Sequence, residues 1–361
     1  MRVVISAGGT GGHIYPALAI INKIKELEKD SEFLYIGTHN RMEKDIVPKY
    51  GIPFEPIEMY GLDRKNILNN FKTLFCLIKA NIKCRKLIKK FDPDVVIGCG
   101  GYITYPVIKA AKKLKIKTFI HEQNSVAGLS NLKLSKYADL IGVSFKSTID
   151  DFKHSKVVFT GNPCSENALV SGTQNKSEFG IPEDKRLILF VMGSLGASKV
   201  NDTLVETLPL IGYKNYYALF VTGNAGYESI KNLSFPKNVV VVPYIENMTR
   251  IMKNVDLMVT RAGASTLSEI IALRVPSILI PSPYVPNNHQ YKNALNLVNN
   301  KAALMIEEKN LTCDTLINTI DSVINDTVKL NDMKTRLNKL NVEGSAGIIY
   351  KNIRALIDGK M

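Results

Sequence analysis

Short apolar runs recur along the chain between longer stretches whose apolar residues repeat with a period near 3.6. The runs fall at residues 3–6, 33–36, 95–97, 118–121, 140–143 and 157–159, and again at 187–191, 217–221, 239–242, 257–260 and 277–280. Helical periodicity lies between most of them, for example over residues 16–28 and 200–208. Buried strands alternating with helices predict an α/β fold with parallel sheets and right-handed crossovers. The alternation pauses at residues 160–182, a stretch rich in Gly, Pro, Ser and Asn, and then restarts. Each series opens with a strand, a glycine loop and a helix. The expectation is therefore two Rossmann-like domains facing each other across a cleft, residues 1–160 and 166–345.

Composition adds two constraints. Five cysteines without a C-x-x-C pair read as thiols of a reducing compartment. The start, M-R-V-V-I-S-A-G-G, does not read as a signal peptide, and no apolar run approaches the roughly 18–20 residues that span a bilayer. A cytoplasmic location follows as the expectation. The net charge is +14, of which +11 belongs to residues 1–160. Residues 64–90 hold nine basic side chains and no acid. There Ile67, Phe71, Leu74, Phe75, Ile78 and Ile82 form one helical stripe, flanked by Lys65, Lys72, Lys79, Lys83, Lys86 and Lys90. On the stripe alone this reads as a core-facing helix with a solvated lysine flank. The alternative is an interfacial surface for anionic lipid. Aromatic residues interleaved with base-reading arginines are absent, which argues against nucleic acid.

The chemistry gathers at the carboxyl ends of the expected strands. S-A-G-G-T-G-G-H at residues 6–13 is a glycine loop before a helix, suited to the close approach of an anion. It is not a dinucleotide fingerprint, because Ile14 stands where the third glycine belongs and the second strand ends without an acid. M-G-S-L-G-A-S at residues 192–198 is a second phosphate cradle. R-A-G-A-S-T-L-S-E at residues 261–269 opens another helix. Glu269, one turn after Ser265, can accept the hydroxyls of a ribose or stand as a solvated acid beside a cap. Asn287, Asn288, His289 and Gln290 follow a proline-stiffened loop and suit sugar hydroxyls. G-C-G-G-Y at residues 98–102 and H-E-Q-N at residues 121–124 belong to the ligand edge of the first sheet. His13 and Glu122 are the candidate proton acceptors. Asp92-Pro93-Asp94 precedes its strand and reads as a turn, and no cluster has metal-ligand spacing.

Taken in order, G-G-T-G-G-H (8–13), G-x-G-G-Y (98–102), H-E-Q-N (121–124), T-G-N-P (160–163), G-S-L-G-A (193–197), R-A-G-A-S-T-L-S-E (261–269) and N-N-H-Q (287–290) closely resemble the MurG family of N-acetylglucosaminyltransferases over essentially the whole chain. The resemblance implies a GT-B fold whose last helix, about residues 346–358, crosses back to the first domain. It implies transfer of GlcNAc from UDP-GlcNAc to the muramyl 4-hydroxyl of an undecaprenyl-diphosphate-linked pentapeptide, a step of peptidoglycan synthesis. The enzyme would work as a peripheral protein at the cytoplasmic face of the membrane. Ile245 would read uracil through its backbone, and Glu269 would hold the ribose. Ser194, Ala264, Ser265 and Thr266 would surround the diphosphate, and Gln290 would touch GlcNAc. Thr10, Gly11, Gly12 and Asn124 would complete the donor site, while Gly100, Gly101 and Tyr102 would lie on the acceptor side. No resident cofactor or site-bound metal is implied; a divalent cation would act without a dedicated site. A UDP-sugar epimerase or hydrolase, or a GT-B transferase acting on another lipid, is the alternative. Two departures stand out: Cys164 and Ser165 follow T-G-N-P where the family commonly has Arg, and Thr104-Tyr105-Pro106 replaces the usual Ser/Cys-Gly-Pro.

Overall fold

The computed structural model describes residues 1–61, 70–153, 156–193 and 198–360. The chain divides into two compact units, Met1–Glu166 with Val342–Met361, and Asn167–Asn341. In the first, parallel strands β1 (Arg2–Ser6), β2 (Glu32–Thr38), β3 (Phe54–Ile57), β4 (Val95–Gly98), β5 (Lys117–Glu122), β6 (Leu140–Val143) and β7 (Val157–Phe159) form one sheet. Their spatial order is 3-2-1-4-5-6-7. Order reverses between β1 and β4, so the loops after these two strands flank the crevice where open α/β sheets bind ligands. The register Ser6 to Gly98 brings both loops out at the same level. Both faces of the sheet are covered, which is why its strands read as apolar runs rather than as alternation.

Helices α1 (Gly11–Leu27), α2 (Glu43–Ile46), α3 (Asn70–Phe91), α4 (Thr104–Lys113) and α5 (Leu129–Leu134) follow β1 to β5 in turn. Helix α1 begins at Gly11, five residues ahead of the periodicity, because glycines disguise its first turn. His13 therefore sits on the first turn of a helix, and Pro16 lies inside it. Two strands had no clear sequence signal. β3 is a short edge strand containing Pro56, and β13 (Leu304–Met305), at the edge of the second sheet, has two residues.

Helix α3 overturns the core-facing reading of its apolar stripe. Phe75, Ile78 and Ile82 are 58%, 55% and 65% exposed, whereas Cys76, Ala80, Cys84 and Ile88 face the core and α4. Small side chains permit that close packing, and hydropathy passes over them in favour of larger residues. Lys79, Lys83, Arg85, Lys86, Lys89 and Lys90 are all exposed around the apolar patch. Ile67 and Lys65, and the side chains of Phe71, Lys72 and Leu74, lie outside the described residues. Asp92 and Asp94 sit at the amino end of β4, where Asp94 accepts the Arg2 N–H at 2.7 Å.

Helix α6 (Cys164–Val170) carries the chain onward into the second unit. There β8 (Arg186–Val191), β9 (Tyr216–Val221), β10 (Val239–Val242), β11 (Leu257–Thr260), β12 (Ser277–Leu279) and β13 form a parallel sheet ordered 10-9-8-11-12-13. Its switch point lies between β8 and β11. Helices α7 (Ser198–Ile211), α8 (Asn224–Ile230), α9 (Met248–Met252), α10 (Ala264–Leu273), α11 (His289–Asn299), α12 (Cys313–Ile324) and α13 (Thr327–Leu340) complete this unit. The last helix, α14 (Ser345–Ile357), packs on α1 through Ile349, Ile353 and Leu356. Glu166 accepts the Gly347 N–H at its N-terminus and pairs with Lys23 of α1 at 3.0 Å. Among the described residues no helix is long and apolar enough to cross a membrane.

Candidate active site

In the first unit the two switch-point loops touch directly. The Gly8 N–H donates to the Gly100 carbonyl at 3.3 Å. Gly101, with φ +87°, passes so close that a Cβ there would lie 2.5 Å from the Gly8 oxygen. The His13 ring lies against Gly100, whose Cβ would meet the imidazole at 2.6 Å. Nδ1 of His13 is 3.0 Å from the Gly8 carbonyl oxygen. A carbonyl only accepts, so this contact places the proton on Nδ1 and leaves a lone pair on Nε2. Half-buried His13 is thus held as the tautomer that can take a proton. Thr10 and Gly12 are exposed beside it, while Gly11 and Tyr102 are partly covered.

Beneath the loop lies a layer that the sequence did not announce. Tyr35, fully buried, donates its hydroxyl to the Ala7 carbonyl at 2.9 Å. Glu43, also fully buried, accepts from Gly9 N–H at 3.1 Å, from Thr38 N–H at 2.9 Å and from the Thr38 hydroxyl. Its signal was faint: a single acid four residues before buried Val47, hence on the covered face of a helical turn.

Glu122 and Asn124 come together with each other and with α5. Oε1 of Glu122 accepts from the backbone N–H and the side-chain amide of Asn124 at 3.0 and 3.1 Å. Oε2 accepts from Gly128 N–H at 2.9 Å and the Asn131 amide at 2.8 Å. Four donors fill the acceptor positions of this buried carboxylate, which makes it a brace for the loop after β5. Its neighbour His121 is fully buried. It donates through Nε2 to the Gly161 carbonyl at 3.1 Å and accepts the Gln123 amide on Nδ1. Burial lowers its pKa to about 4, so it is a neutral lock between residues 121–124 and 160–163.

In the second unit, Ala264, Ser265 and Thr266 form the first turn of α10, preceded by Gly263 in extended conformation. Arg261 fixes this turn by pairing with Glu308 at 2.8 Å and donating to the Ile280 carbonyl at 3.0 Å. The Asn293 amide of α11 donates to the Ala262 carbonyl at 3.2 Å. Glu308 and Asn293 were not among the sequence candidates. Glu269 follows on α10 with no hydrogen-bond donor from the described residues, and burial pushes its carboxyl up to about 7. Gln290, the second residue of α11, accepts the Ser282 N–H through Oε1 at 2.8 Å. Ile245, buried, stands between β10 and α9. Gly193 leaves β8 with φ +88°, and Ser194 lies outside the described residues.

Residues 3–143 match the Glycosyltransferase family 28 N-terminal domain, and residues 187–346 match the Glycosyltransferase family 28 C-terminal domain. The chain is 47% identical to the UDP-N-acetylglucosamine–N-acetylmuramyl-(pentapeptide) pyrophosphoryl-undecaprenol N-acetylglucosamine transferase 1 of Bacillus cereus, over 99% of this chain and 100% of that one. The chain belongs to the MurG family. A relative of the same name from Halalkalibacterium halodurans is 46% identical over 98% of this chain and 99% of its own. The crystal structure of Acinetobacter baumannii MurG superposes with a TM-score of 0.78 at 27% identity, covering 98% and 99% of the two chains. The fold is accordingly GT-B, and the chain is a glycosyltransferase of the hexosyl class.

Within that family the T-G-N-P departure acquires a structural form. Cys164 and Ser165 are 3% and 6% exposed, and the Ser165 hydroxyl donates to the Asn162 carbonyl at 2.8 Å. Gly161, with φ +72°, packs close against Val342 and Ser345. The position closes a turn against the returning chain and presents no cation. Thr104 of the second departure caps its own turn, donating to the Gly101 carbonyl at 2.7 Å.

Proposed function

We infer that this chain transfers N-acetylglucosamine from UDP-GlcNAc to the 4-hydroxyl of the muramyl residue of undecaprenyl-diphospho-muramyl-pentapeptide. The observation that carries the reading is full-length identity of 47% to a transferase named for that donor and acceptor. An epimerase or hydrolase reading lacks comparable support.

The site supports a direct displacement with inversion. His13 Nε2 takes the proton of the acceptor hydroxyl as its oxygen bonds to the anomeric carbon and the bond to UDP breaks. The protonated imidazole stays braced by the Gly8 carbonyl. UDP leaves toward the N–H groups at the start of α10, with Ser194 assigned to the diphosphate and no metal or cofactor assigned a role. Glu269 takes the ribose, Ile245 the uracil through its backbone, and Gln290 the sugar hydroxyls. Thr10, Gly11, Gly12 and Asn124 are assigned to the donor sugar, and Gly100, Gly101 and Tyr102 to the acceptor. Glu122 is assigned a bracing role, because its oxygens are already filled.

The exposed Phe75–Ile78–Ile82 patch ringed by basic residues supports peripheral docking on an anionic membrane at its cytoplasmic face. The test is UDP release by the full chain, with the lipid-linked muramyl pentapeptide present and omitted. Release that requires the acceptor is expected. Equal consumption of UDP-GlcNAc without acceptor overturns the reading.

A further inference from the structure

The peptide group between Gly8 and Gly9 is occupied at both ends. Its carbonyl oxygen faces Nδ1 of His13 at 3.0 Å, and its N–H donates to Oε2 of Glu43 at 3.1 Å. In a trans peptide C=O and N–H point in opposite directions. Imidazole, peptide and carboxylate therefore form one continuous line of hydrogen bonds. We propose that Glu43 is a positioning residue that acts on His13 through the Gly8–Gly9 peptide, as a carboxylate–imidazole pair relayed by one amide. The inference rests on His13 being the proton acceptor.

The carboxylate draws on the Gly9 N–H and places more electron density on the Gly8 oxygen. Bonds in such chains strengthen one another by about 10–30%. A stronger acceptor at Gly8 holds His13 as the Nδ1–H tautomer and stabilises the imidazolium formed when Nε2 takes the proton. A carboxylate bonded directly to imidazole does the same elsewhere. The surrounding residues preserve the line. A Cβ on Gly8 would lie 2.4 Å from Oε1 of Glu43, and Gly9 holds φ +92°. Gly100 and Gly101 leave room for the ring and for the Gly8 carbonyl. The remaining bonds of Glu43 go to Thr38, so the acid is anchored to β2 and aimed at the loop.

Few other titratable groups surround the line. The Tyr35 hydroxyl and the Cys99 thiol are driven far up by burial and stay neutral. Arg41, Lys44 and Asp45 are exposed, and the His39 ring packs edge-on against Tyr60.

The test uses the full chain with Glu43→Gln, His13→Ala and the double variant. In Glu43→Gln, kcat falls on the order of tenfold, KM for UDP-GlcNAc stays within about threefold, and the acid limb of the pH–rate profile moves to lower pH. In the His13→Ala background the same change costs nothing further. An unmoved acid limb in Glu43→Gln, or full additivity in the double variant, overturns the relay. Should Glu43→Gln not fold, nitrogen-15 NMR of the unaltered protein decides. The Gly9 amide proton must titrate together with the assigned His13 imidazole, and a Gly9 signal indifferent to that titration overturns the proposal. Wild-type turnover in His13→Ala would remove the proton-acceptor reading as well. An inactive His13→Ala beside an unaffected Glu43→Gln removes the relay alone.

Discussion

Glu122 and Glu269 share a side chain and occupy opposite electrical settings. Glu122 receives four N–H donors, so Glu122→Ala leaves buried donors without acceptors at a cost of roughly 1–3 kcal/mol each. Its melting temperature should fall on the order of 10 °C. His13→Ala, by contrast, should keep its melting temperature while losing about 10²–10⁴-fold in kcat. Calorimetry and turnover on both variants separate a brace from a base. Glu269 has no donor among the described residues, and burial raises its carboxyl to about 7. A raised acid favours the neutral form in the folded chain. Its contribution to stability is present below the unfolded value of 4.5 and is lost as pH rises through about 7. The proposed ribose contact runs the other way, since the ionised carboxylate is the stronger acceptor for two hydroxyls. KM for UDP-GlcNAc should therefore fall as pH rises through 7, and Glu269→Gln should raise KM, flatten that dependence and stabilise the second unit at pH 8. A KM with the same pH dependence in Glu269→Gln would place the titration elsewhere. Glu269 was a candidate from the sequence because it rides one turn behind a glycine-led motif. Glu43 was not, because nothing near it in sequence says that a distant loop needs its carboxylate.

At the scale of elements, long strands buried on both faces were readable from their apolar runs, and most observed ends fall within a residue or two. What escaped reading were elements whose residues serve a second purpose. The start of α1 is written in glycine, where Gly11 leaves room for the Tyr15 ring, and β3 and β13 are edge strands too short for a pattern. Helix α3 shows the same effect in its packing. Its core stripe uses Cys76, Ala80 and Cys84, so the larger Phe75, Ile78 and Ile82 are left outside. The double variant Ile78→Glu, Ile82→Glu should therefore keep its melting temperature and its donor KM, yet lose sedimentation with anionic phospholipid vesicles. Each withdrawn side chain removes about 1.5–3 kcal/mol of apolar transfer. Ala80→Phe, on the opposite face, should leave vesicle binding intact in the folded fraction and cost about 1–3 kcal/mol of stability by overpacking against α4. A collapse of stability in the first variant would return the stripe to the core.

For the whole molecule, sequence order and structural order part company at the last helix. Residues 342–361 belong to the first unit, although they follow the whole of the second. Ile349, Ile353 and Leu356 of α14 join Ile14, Leu18 and Ile21 of α1 in one core. The Tyr350 hydroxyl donates to Glu28 at 2.8 Å, and Arg354 pairs with the same acid. Burying three such apolar side chains is worth on the order of 5–8 kcal/mol, comparable to the net stability of an ordinary domain. A chain ending at Asn341 should thus lose the cooperative unfolding transition of its first unit while retaining that of the second. The retained transition should still rise with UDP-GlcNAc, by about 2.7 kcal/mol at a ligand concentration 100 times Kd, because the donor residues assigned to α10 and α11 are untouched. Transfer activity should be abolished, since His13 sits on α1, the helix that α14 supports. Calorimetry with and without UDP-GlcNAc reads both effects in one experiment. Loss of the ligand-sensitive transition on truncation would mean that the second unit depends on the first for its folding. An undisturbed first transition would mean that α14 adds little to the core it covers.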